Sequence, residues 1–231
     1  MVELESSGGV ARVFLSRPEK ANALSTAFLE ELFQAIAKLK GDPDLRVVVL
    51  AGRGKAFCGG ADVNELKTLD ESSAPAFVEK IHRVCRELRA LPVPVVAQLH
   101  GAVIGAGLEI AAACDLRVAA EGTKFSMPEV KIGIPSVVEA ALLPRLMGSG
   151  RAAWMVLTGE PIDARRAYEW GLIEKVSANL EGDVDALVKQ IVSNDRKALR
   201  LQKELLQRWE EAPLSTSVAA SLLAFREAHR K

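Results

Sequence analysis

The stretch VPVVAQLHGAVIGAGLEIAAACDLRVAA, residues 93–120, carries the pattern of a parallel α/β fold. A short apolar run is followed by a glycine-rich corner, a segment with helical spacing from about Ala106, and a second short apolar run. Such fully apolar runs are typical of strands buried in a parallel sheet. One carboxylate, Glu109, lies within the apolar helical segment and is the first candidate for a functional residue.

The alternation of strands and helices extends along the chain. VARVFLS (10–16) and LRVVVLAG (45–52) predict strands, and TAFLEELFQAIAKLK (26–40) predicts an amphipathic helix capped by Ser25. A long helical pattern, interrupted near DESSAP, lies between Val63 and Leu91. This order is typical of the α/β class, with a mostly parallel sheet and crossover helices. From about Gly148 the pattern predicts helices only, so we expect an α/β core over residues 1–185 and a C-terminal helical region over residues 186–231.

The composition excludes several classes of function. Lys plus Arg and Asp plus Glu both number 30, so no global field attracts nucleic acid or an acidic membrane. The three cysteines form no C-x-x-C pair, which favours a reducing compartment over a disulfide framework or a zinc site. No run approaches the roughly 18–20 uninterrupted apolar residues of a membrane helix. We therefore expect a soluble cytoplasmic protein without nucleic-acid or membrane partners.

Two glycine-rich corners each follow a buried strand. LRVVVLAG leads into RGKAFCGGAD (53–62), and VPVVAQL leads into HGAVIGAG (100–107). In a parallel sheet the carboxyl ends of the strands share one edge, where ligand sites collect. The two corners could direct two backbone N–H donors at one oxygen, the geometry of an oxyanion hole. Simple tight turns are the alternative; a phosphate loop is disfavoured because the second corner lacks the Lys-Ser/Thr ending and the dinucleotide fingerprint.

Two carboxylates accompany these corners. Glu109 has no lysine three or four residues later, so it is a helix N-terminal charge, a buried partner of a distant arginine, or a general acid/base. Glu129 lies in FSMPEVKIGIP (125–135), and alone it is typical of a surface loop. Together the two glutamates favour water addition, because that reaction needs one group to take a proton and another to give one.

Four segments carry a resemblance to a known family. They are NALS (22–25), VVVLAGRGKAFCGGADVNEL (47–66), PVPVVAQLHGAVIGAGLEIAAACDLRVAAEGTKFSMPEVKIGIP (92–135) and VLTGEPIDARRAYEWGLIEKV (156–176). In their order and spacing the chain resembles the enoyl-CoA hydratase/isomerase family, the crotonase superfamily. The resemblance implies a crotonase-like spiral of repeated β-β-α units with a C-terminal helical region. It also implies an acyl-CoA substrate, a homotrimer or a dimer of trimers, and a place in fatty acid metabolism.

The resemblance also implies roles for individual residues. The oxyanion hole would be the backbone N–H groups of Ala61 and Ala106, and the catalytic pair would be Glu109 and Glu129. The positions implied to bind CoA and substrate are Lys20, Ala21, Leu24, Ala61, Asp62, Val63, Asn64, Gly105 and Gly107.

The implied reaction is syn addition of water to the C2=C3 bond of a 2-enoyl-CoA. Glu109 would activate the water, and Glu129 would exchange the proton at C2. No metal or redox cofactor is expected, since coenzyme A is part of the substrate. The alternatives are another crotonase reaction (isomerase, thioester hydrolase, decarboxylase or C–C lyase) and a non-catalytic scaffold or RNA-binding relative.

The sequence departs from the family pattern after Pro135. SVVE (136–139) stands where typical hydratases have a glycine-rich loop, which suggests an acyl pocket shaped by Pro135, Val137, Val138 and Glu139. Glu139 is either a third polar group reaching the substrate or an outward-facing or helix-capping acid. The chain also ends before a segment that many members have, so we expect a more open acyl pocket or a different trimer contact.

Several residues in and beside these motifs are expected to be structural. His100 should make a structural hydrogen bond, and Cys58 and Cys114 should belong to the core. His82 is expected on a charged helical surface, and RKALRLQKELLQR (196–208) is expected to be a solvated helix face.

Overall fold

A computed structural model describes residues 1–230, which form two β-sheets surrounded by helices. The strands are β1 (Val2–Ser7), β2 (Val10–Leu15), β3 (Val47–Gly52), β4 (Val95–Leu99), β5 (Ala102–Ile104), β6 (Leu116–Ala120), β7 (Lys124–Ser126), β8 (Ile162–Asp163) and β9 (Lys175–Ser177). The α-helices are α1 (Thr26–Lys40), α2 (Val63–Leu66), α3 (Ala74–Arg89), α4 (Ala106–Ala112), α5 (Leu143–Met147), α6 (Ser149–Thr158), α7 (Ala164–Trp170), α8 (Leu180–Val192), α9 (Arg196–Glu211) and α10 (Leu214–Ala228). Three 3₁₀ helices span Pro18–Lys20, Glu129–Ile132 and Val138–Leu142.

The larger sheet confirms the expected parallel core. Its strand order is β1-β2-β3-β4-β6-β9, and the pairs from β2 to β9 are parallel while β1 pairs antiparallel with β2. The smaller sheet has the order β5-β7-β8. Strand β3 is buried on both faces up to Gly52, as its continuous apolar sequence predicts.

The predicted helices form where their caps and apolar faces indicate. The hydroxyl of Ser25 accepts a hydrogen bond from the Phe28 N–H at 3.3 Å and so begins α1. Phe28, Leu32 and Ile36 then enter the core along one face of α1. The interruption near DESSAP separates α2 from α3, because the carboxylate of Asp70 accepts hydrogen bonds from the turn that follows it.

The expectation of helices only after Gly148 is wrong. Strand β8 pairs antiparallel with β7, and β9 adds a sixth strand beside β6. These strands have two and three residues, too few to show an alternating pattern. The expected division at residues 185 and 186 falls inside α8, which packs Val184, Val188 and Ile191 against the large sheet, and that division stays a prediction.

The two glycine-rich corners lie side by side at the carboxyl edge of the sheet. Strands β3 and β4 are neighbours, so the loops that follow them begin at adjacent positions. The Cys58 N–H donates to Ala102 O at 3.0 Å, and the Ile104 N–H donates to Cys58 O at 3.0 Å. The fold therefore brings together two segments that are more than 40 residues apart in the chain.

Over residues 1–230, no helix combines the length and the apolar character needed to cross a membrane.

Candidate active site

The first feature of the site is the contact between the two glycine corners. Gly60 has a φ of 96°, and a Cβ added there would lie 2.9 Å from Ile104 O and 3.9 Å from the Ala106 nitrogen. A Cβ on Gly107 would lie 2.7 Å from the Cβ of Cys58. Glycine is thus required at both positions for the backbones to approach this closely.

Two backbone N–H groups at this contact have no acceptor within residues 1–230. The Leu24 N–H donates to Gly60 O, and the Asp62 N–H donates to Leu24 O. The Ala61 N–H between them therefore donates to neither of these carbonyls. Ala106 is the first residue of α4, so its N–H has no helical partner. Within residues 1–230 neither group donates a hydrogen bond. Both implied oxyanion donors are therefore free, and both belong to the corners that touch.

Glu109 is a buried carboxylate without a cation. Its side chain lies in α4, one turn after Gly105, and the residue is 3% exposed. Oε1 accepts a hydrogen bond from the Ala140 N–H at 3.2 Å. In the described chain no Lys, Arg or His nitrogen lies within 4.0 Å of it, so pairing with a distant arginine is wrong. Burial, followed by the charges of Glu129 and Glu139, raises the pKa of Glu109 to about 8, against the Ala140 hydrogen bond.

Glu129 faces the start of the same helix. It begins the 3₁₀ helix Glu129–Ile132, and a Cβ on Gly105 would collide with its Oε1. The hydroxyl of Ser136 donates to Oε2 at 3.0 Å. Burial raises the pKa of Glu129, while its hydrogen bonds with the Glu129 backbone and with Ser136 act in the opposite direction. Glu129 is thus a half-buried, hydrogen-bonded carboxylate, not a freely exposed loop residue.

The charges of the two carboxylates interact. Repulsion between the buried Glu109 and the half-buried Glu129 disfavours a state in which both are charged. Burial raises the pKa of both groups, and with a pKa of about 8 Glu109 holds a proton near neutral pH. One group can then accept a proton while the other donates one, next to two free N–H donors.

The residues implied to hold CoA surround the first corner. Ala21 has a φ of 51°, and its carbonyl accepts a hydrogen bond from the Gly59 N–H at 2.8 Å. This bond joins the segment around Ala21 to the first corner. Asp62 caps α2 and receives a hydrogen bond from Arg17 at 2.8 Å. Leu24 is buried in the core. Three more of these residues, Lys20, Val63 and Asn64, are exposed beside the corner.

Asn22 organises this region and was not among the predicted site residues. Its buried side-chain amide donates to the carbonyls of Arg53, Ala56 and Phe57 at 2.8–3.1 Å. Its Oδ1 accepts the Arg17 N–H at 2.7 Å. The φ of 57° at Asn22 is one that asparagine tolerates better than most residues. The motif NALS could have pointed to Asn22, because asparagine beside a turn can adopt a positive φ.

Three of the four expected acyl-pocket residues line one groove. Pro135, Val137 and Val138 border a groove of about 530 Å³ that is otherwise lined mainly by apolar residues of α5 and α6. Ser136 and Ala140, which bond the two glutamates, also line it. The groove therefore begins beside the carboxylate pair.

Glu139 and His82 differ from the sequence expectation. Glu139 is buried, so an outward-facing acid is wrong, and its Oε1 lies 2.8 Å from Nδ1 of His82 in α3. His82 is therefore half-buried against this acid, not free on a charged surface. The histidine and the acid are 57 residues apart, and neither had a motif that linked them.

Other expected structural residues have the surroundings that their assignment requires. Nε2 of His100 lies 3.0 Å from Gly54 O. Cys58 and Cys114 are buried, and burial raises the pKa of each thiol to about 12. The helix face at 196–208 is not wholly solvated, because Lys203 is buried and paired with Asp115.

Metal-binding groups do not cluster. Across the part of the chain that the structure describes, no three His, Cys, Asp or Glu side chains group as metal ligands. The expectation that the chemistry needs no metal or cofactor stays a prediction.

Comparisons with known proteins place the chain in a family. Residues 5–231 match the model of the family described as Enoyl-CoA hydratase/isomerase. A short-chain-enoyl-CoA hydratase of Clostridium acetobutylicum is 35% identical over 230 residues, which cover 98% of this chain and 88% of the relative.

Solved structures show the same fold. The enoyl-CoA hydratase of Bacillus anthracis superposes with a TM-score of 0.95 at 33% identity, covering 100% of this chain and 92% of the other. The enoyl-CoA hydratase of Mycobacterium smegmatis superposes with a TM-score of 0.95 at 31% identity, covering 97% of this chain and 89% of the other. These matches confirm the expected spiral fold with its C-terminal helices.

Proposed function

The chain belongs to the enoyl-CoA hydratase/isomerase family and acts on CoA thioesters, and within that family we propose that it is an enoyl-CoA hydratase. The proposed reaction is the syn addition of water to the C2=C3 bond of a 2-enoyl-CoA. One observation carries the proposal: Glu109 lies one turn after Gly105, and Glu129 packs against the same glycine. Two carboxylates therefore reach one small space beside the free Ala106 N–H.

The free N–H groups supply the electrostatic part of the proposed mechanism. The thioester oxygen would accept hydrogen bonds from Ala61 and Ala106. When water attacks C3, negative charge moves onto this oxygen as an enolate forms. Donors fixed in the backbone stabilise that charge without reorganising, and the loss of one such donor typically lowers a rate about 10²–10³-fold.

The carboxylate pair supplies the proton transfers. In hydration, Glu109 would take a proton from water while Glu129 gives one to C2. This leaves the proton on Glu109, the group whose pKa is raised to about 8. The free protein thus favours the protonation state that starts the reverse reaction, loss of water from a 3-hydroxyacyl-CoA. Each hydration cycle would then need a proton to return from Glu109 to Glu129, for which the next water molecule to enter the site would offer a path.

The remaining assignments follow from the surfaces around this pair. We place CoA on the segment around Lys20 and Ala21 and on the Ala61–Asn64 loop, which the Asn22 and Asp62 hydrogen bonds hold together. We place the acyl chain in the groove of about 530 Å³, because its lining residues bond both glutamates. No cofactor enters this scheme, since CoA is part of the substrate.

A homotrimer or dimer of trimers is the proposed assembly. It is supported by the apolar face of α10, where Leu214, Leu222 and Phe225 are 70–80% exposed. A mass in solution near three or six times 24.8 kDa would agree with this assembly, and a monomeric mass would contradict it.

A substrate panel tests the proposed reaction. Purified protein should remove the conjugated thioester absorbance of crotonyl-CoA or of a longer, branched or aromatic enoyl-CoA. Tight thioester binding without hydration of any of them would favour isomerisation, thioester hydrolysis, decarboxylation or C–C cleavage at the same site. A rise in melting temperature with RNA, but none with a CoA thioester, would favour the non-catalytic alternative.

A further inference from the structure

We propose that Glu139 and His82 form a positioning pair that holds residues 136–140 against both catalytic glutamates. The inference rests on the proposed hydratase reaction and adds two residues to it. Neither residue needs to touch the substrate, because each acts through the segment that Glu139 belongs to.

One short segment bonds both glutamates. The Ser136 hydroxyl donates to Glu129 Oε2 at 3.0 Å, and the Ala140 N–H donates to Glu109 Oε1 at 3.2 Å. These two donors lie four residues apart, so the conformation between them fixes the relative position of the two carboxylates. Moving this segment would release a hydrogen bond from each glutamate at once.

The segment is strained at its centre. Val138 has a φ of 40°, a conformation that is unfavourable for a β-branched side chain. Such a conformation persists only where surrounding contacts impose it. The contact next to Val138 is the one that Glu139 makes.

Glu139 anchors the segment to α3. Its side chain is 9% exposed, and its Oε1 lies 2.8 Å from Nδ1 of His82. The titratable groups that face it are His82 and Cys85 from α3 and Glu109 from α4. The side chain of His82 is 39% exposed. The histidine therefore connects a buried acid of the active-site segment to the surface.

The pair has a cost that packing alone does not explain. Oε2 of Glu139 is buried and makes no hydrogen bond within the described residues. Its charge also acts on Glu109, whose pKa it helps to raise. An apolar residue would fill the same volume without either penalty. Glu139 therefore has two effects in this proposal. It holds the segment 136–140 in place through His82, and its charge favours the protonated form of Glu109.

Two kinds of variant separate positioning from packing. His82→Ala removes the donor, whereas His82→Asn keeps an N–H in a similar place. Glu139→Gln keeps an acceptor for His82 and removes the charge beside Glu109. Loss of that charge should let Glu109 ionise at lower pH, so the alkaline limb of the rate profile should move down.

The experiment measures kcat and KM on the preferred enoyl-CoA, and the melting temperature, for wild type and these variants. The measurements run from about pH 5 to about pH 10, a range that includes the Glu109 pKa of about 8. His82→Ala should lower kcat about tenfold or more with little change in KM, and His82→Asn should restore most of it. The Glu139→Gln protein should fold, and the alkaline limb of its rate profile should move down by about half a pH unit or more. Glu79→Gln, at an exposed position of α3, should match wild type.

The possible failures point to different errors. The positioning role is wrong if His82→Ala and Glu139→Gln match wild type in kcat and pH profile, or if His82→Asn is as impaired as His82→Ala. A wild-type protein that binds enoyl-CoA but hydrates none would instead overturn the proposed function, and this role with it.

Discussion

At the scale of single residues, the buried Glu109 makes stability depend on pH. Its pKa is about 8 in the folded protein against an ordinary 4.5, so the folded state holds the proton more tightly than the unfolded chain. The stability associated with this proton is complete below about pH 4.5 and is lost as pH rises through about 8. Ionisation of Glu109 therefore lowers the free energy of unfolding at alkaline pH.

Replacing Glu109 by glutamine removes that cost. Glu109→Gln should raise the unfolding free energy relative to wild type at pH 9, by an amount on the order of a few kcal/mol. The difference should shrink towards pH 5, where wild-type Glu109 is protonated. Urea unfolding at the two pH values measures it, with the exposed Glu121→Gln as the control. A difference that is the same at both pH values would show that the Glu109 pKa is not raised.

At this scale the sequence predicts the reactive groups better than the residues that hold them. The glycine corners and the glutamate pair were found from their own motifs. The partners of the glutamates were not, because Ala140 acts through its backbone and lies 31 residues after Glu109. His82 likewise meets Glu139 only after α3 and the 3₁₀ helix Val138–Leu142 pack together.

At the scale of elements, the corner before α4 depends on Gly105. Its φ of 52° and ψ of −124° disfavour any other residue, and a Cβ would collide with Oε1 of Glu129. Gly105→Ala should therefore lower stability by about 1–3 kcal/mol and displace the Glu129 carboxylate, the proposed proton donor, at the same time.

The matched control is Gly122→Ala. A Cβ on Gly122 would meet nothing within 4 Å, and its φ is not positive. Hydration rates and unfolding curves of the two variants should differ, with Gly105→Ala slow and less stable and Gly122→Ala close to wild type. Equal behaviour would mean that the corner does not set the position of Glu129.

Elements were predictable where they carry long patterns or caps. Helix α1 has the predicted bounds because Ser25 caps it and its apolar face repeats over four turns. Strands β8 and β9 were missed because their two or three residues gain order only from pairing with β7 and β6. The short strand β5 was hidden in the same way inside the second glycine corner.

At the scale of the whole molecule, the parallel sheet explains why the contact between the two glycine corners could be predicted from sequence. Neighbouring parallel strands end at one edge, so two glycine corners far apart in the chain had to meet there. The C-terminal helices were expected as a separate region, yet Lys203 of α9 is buried against Asp115, the residue just before β6. Such a buried long-range pair has no sequence pattern, which is why a solvated face was expected instead.

Hydration of crotonyl-CoA, or of the preferred substrate from the panel, by Glu109→Gln and Glu129→Gln decides whether the two carboxylates carry out the proton transfers. Each substitution keeps the side-chain volume but removes one member of the acid/base pair. Each should lower kcat by about 10²–10⁴-fold while CoA-thioester binding persists, with Glu121→Gln unaffected. Wild-type turnover in both glutamate variants would contradict the two-glutamate mechanism.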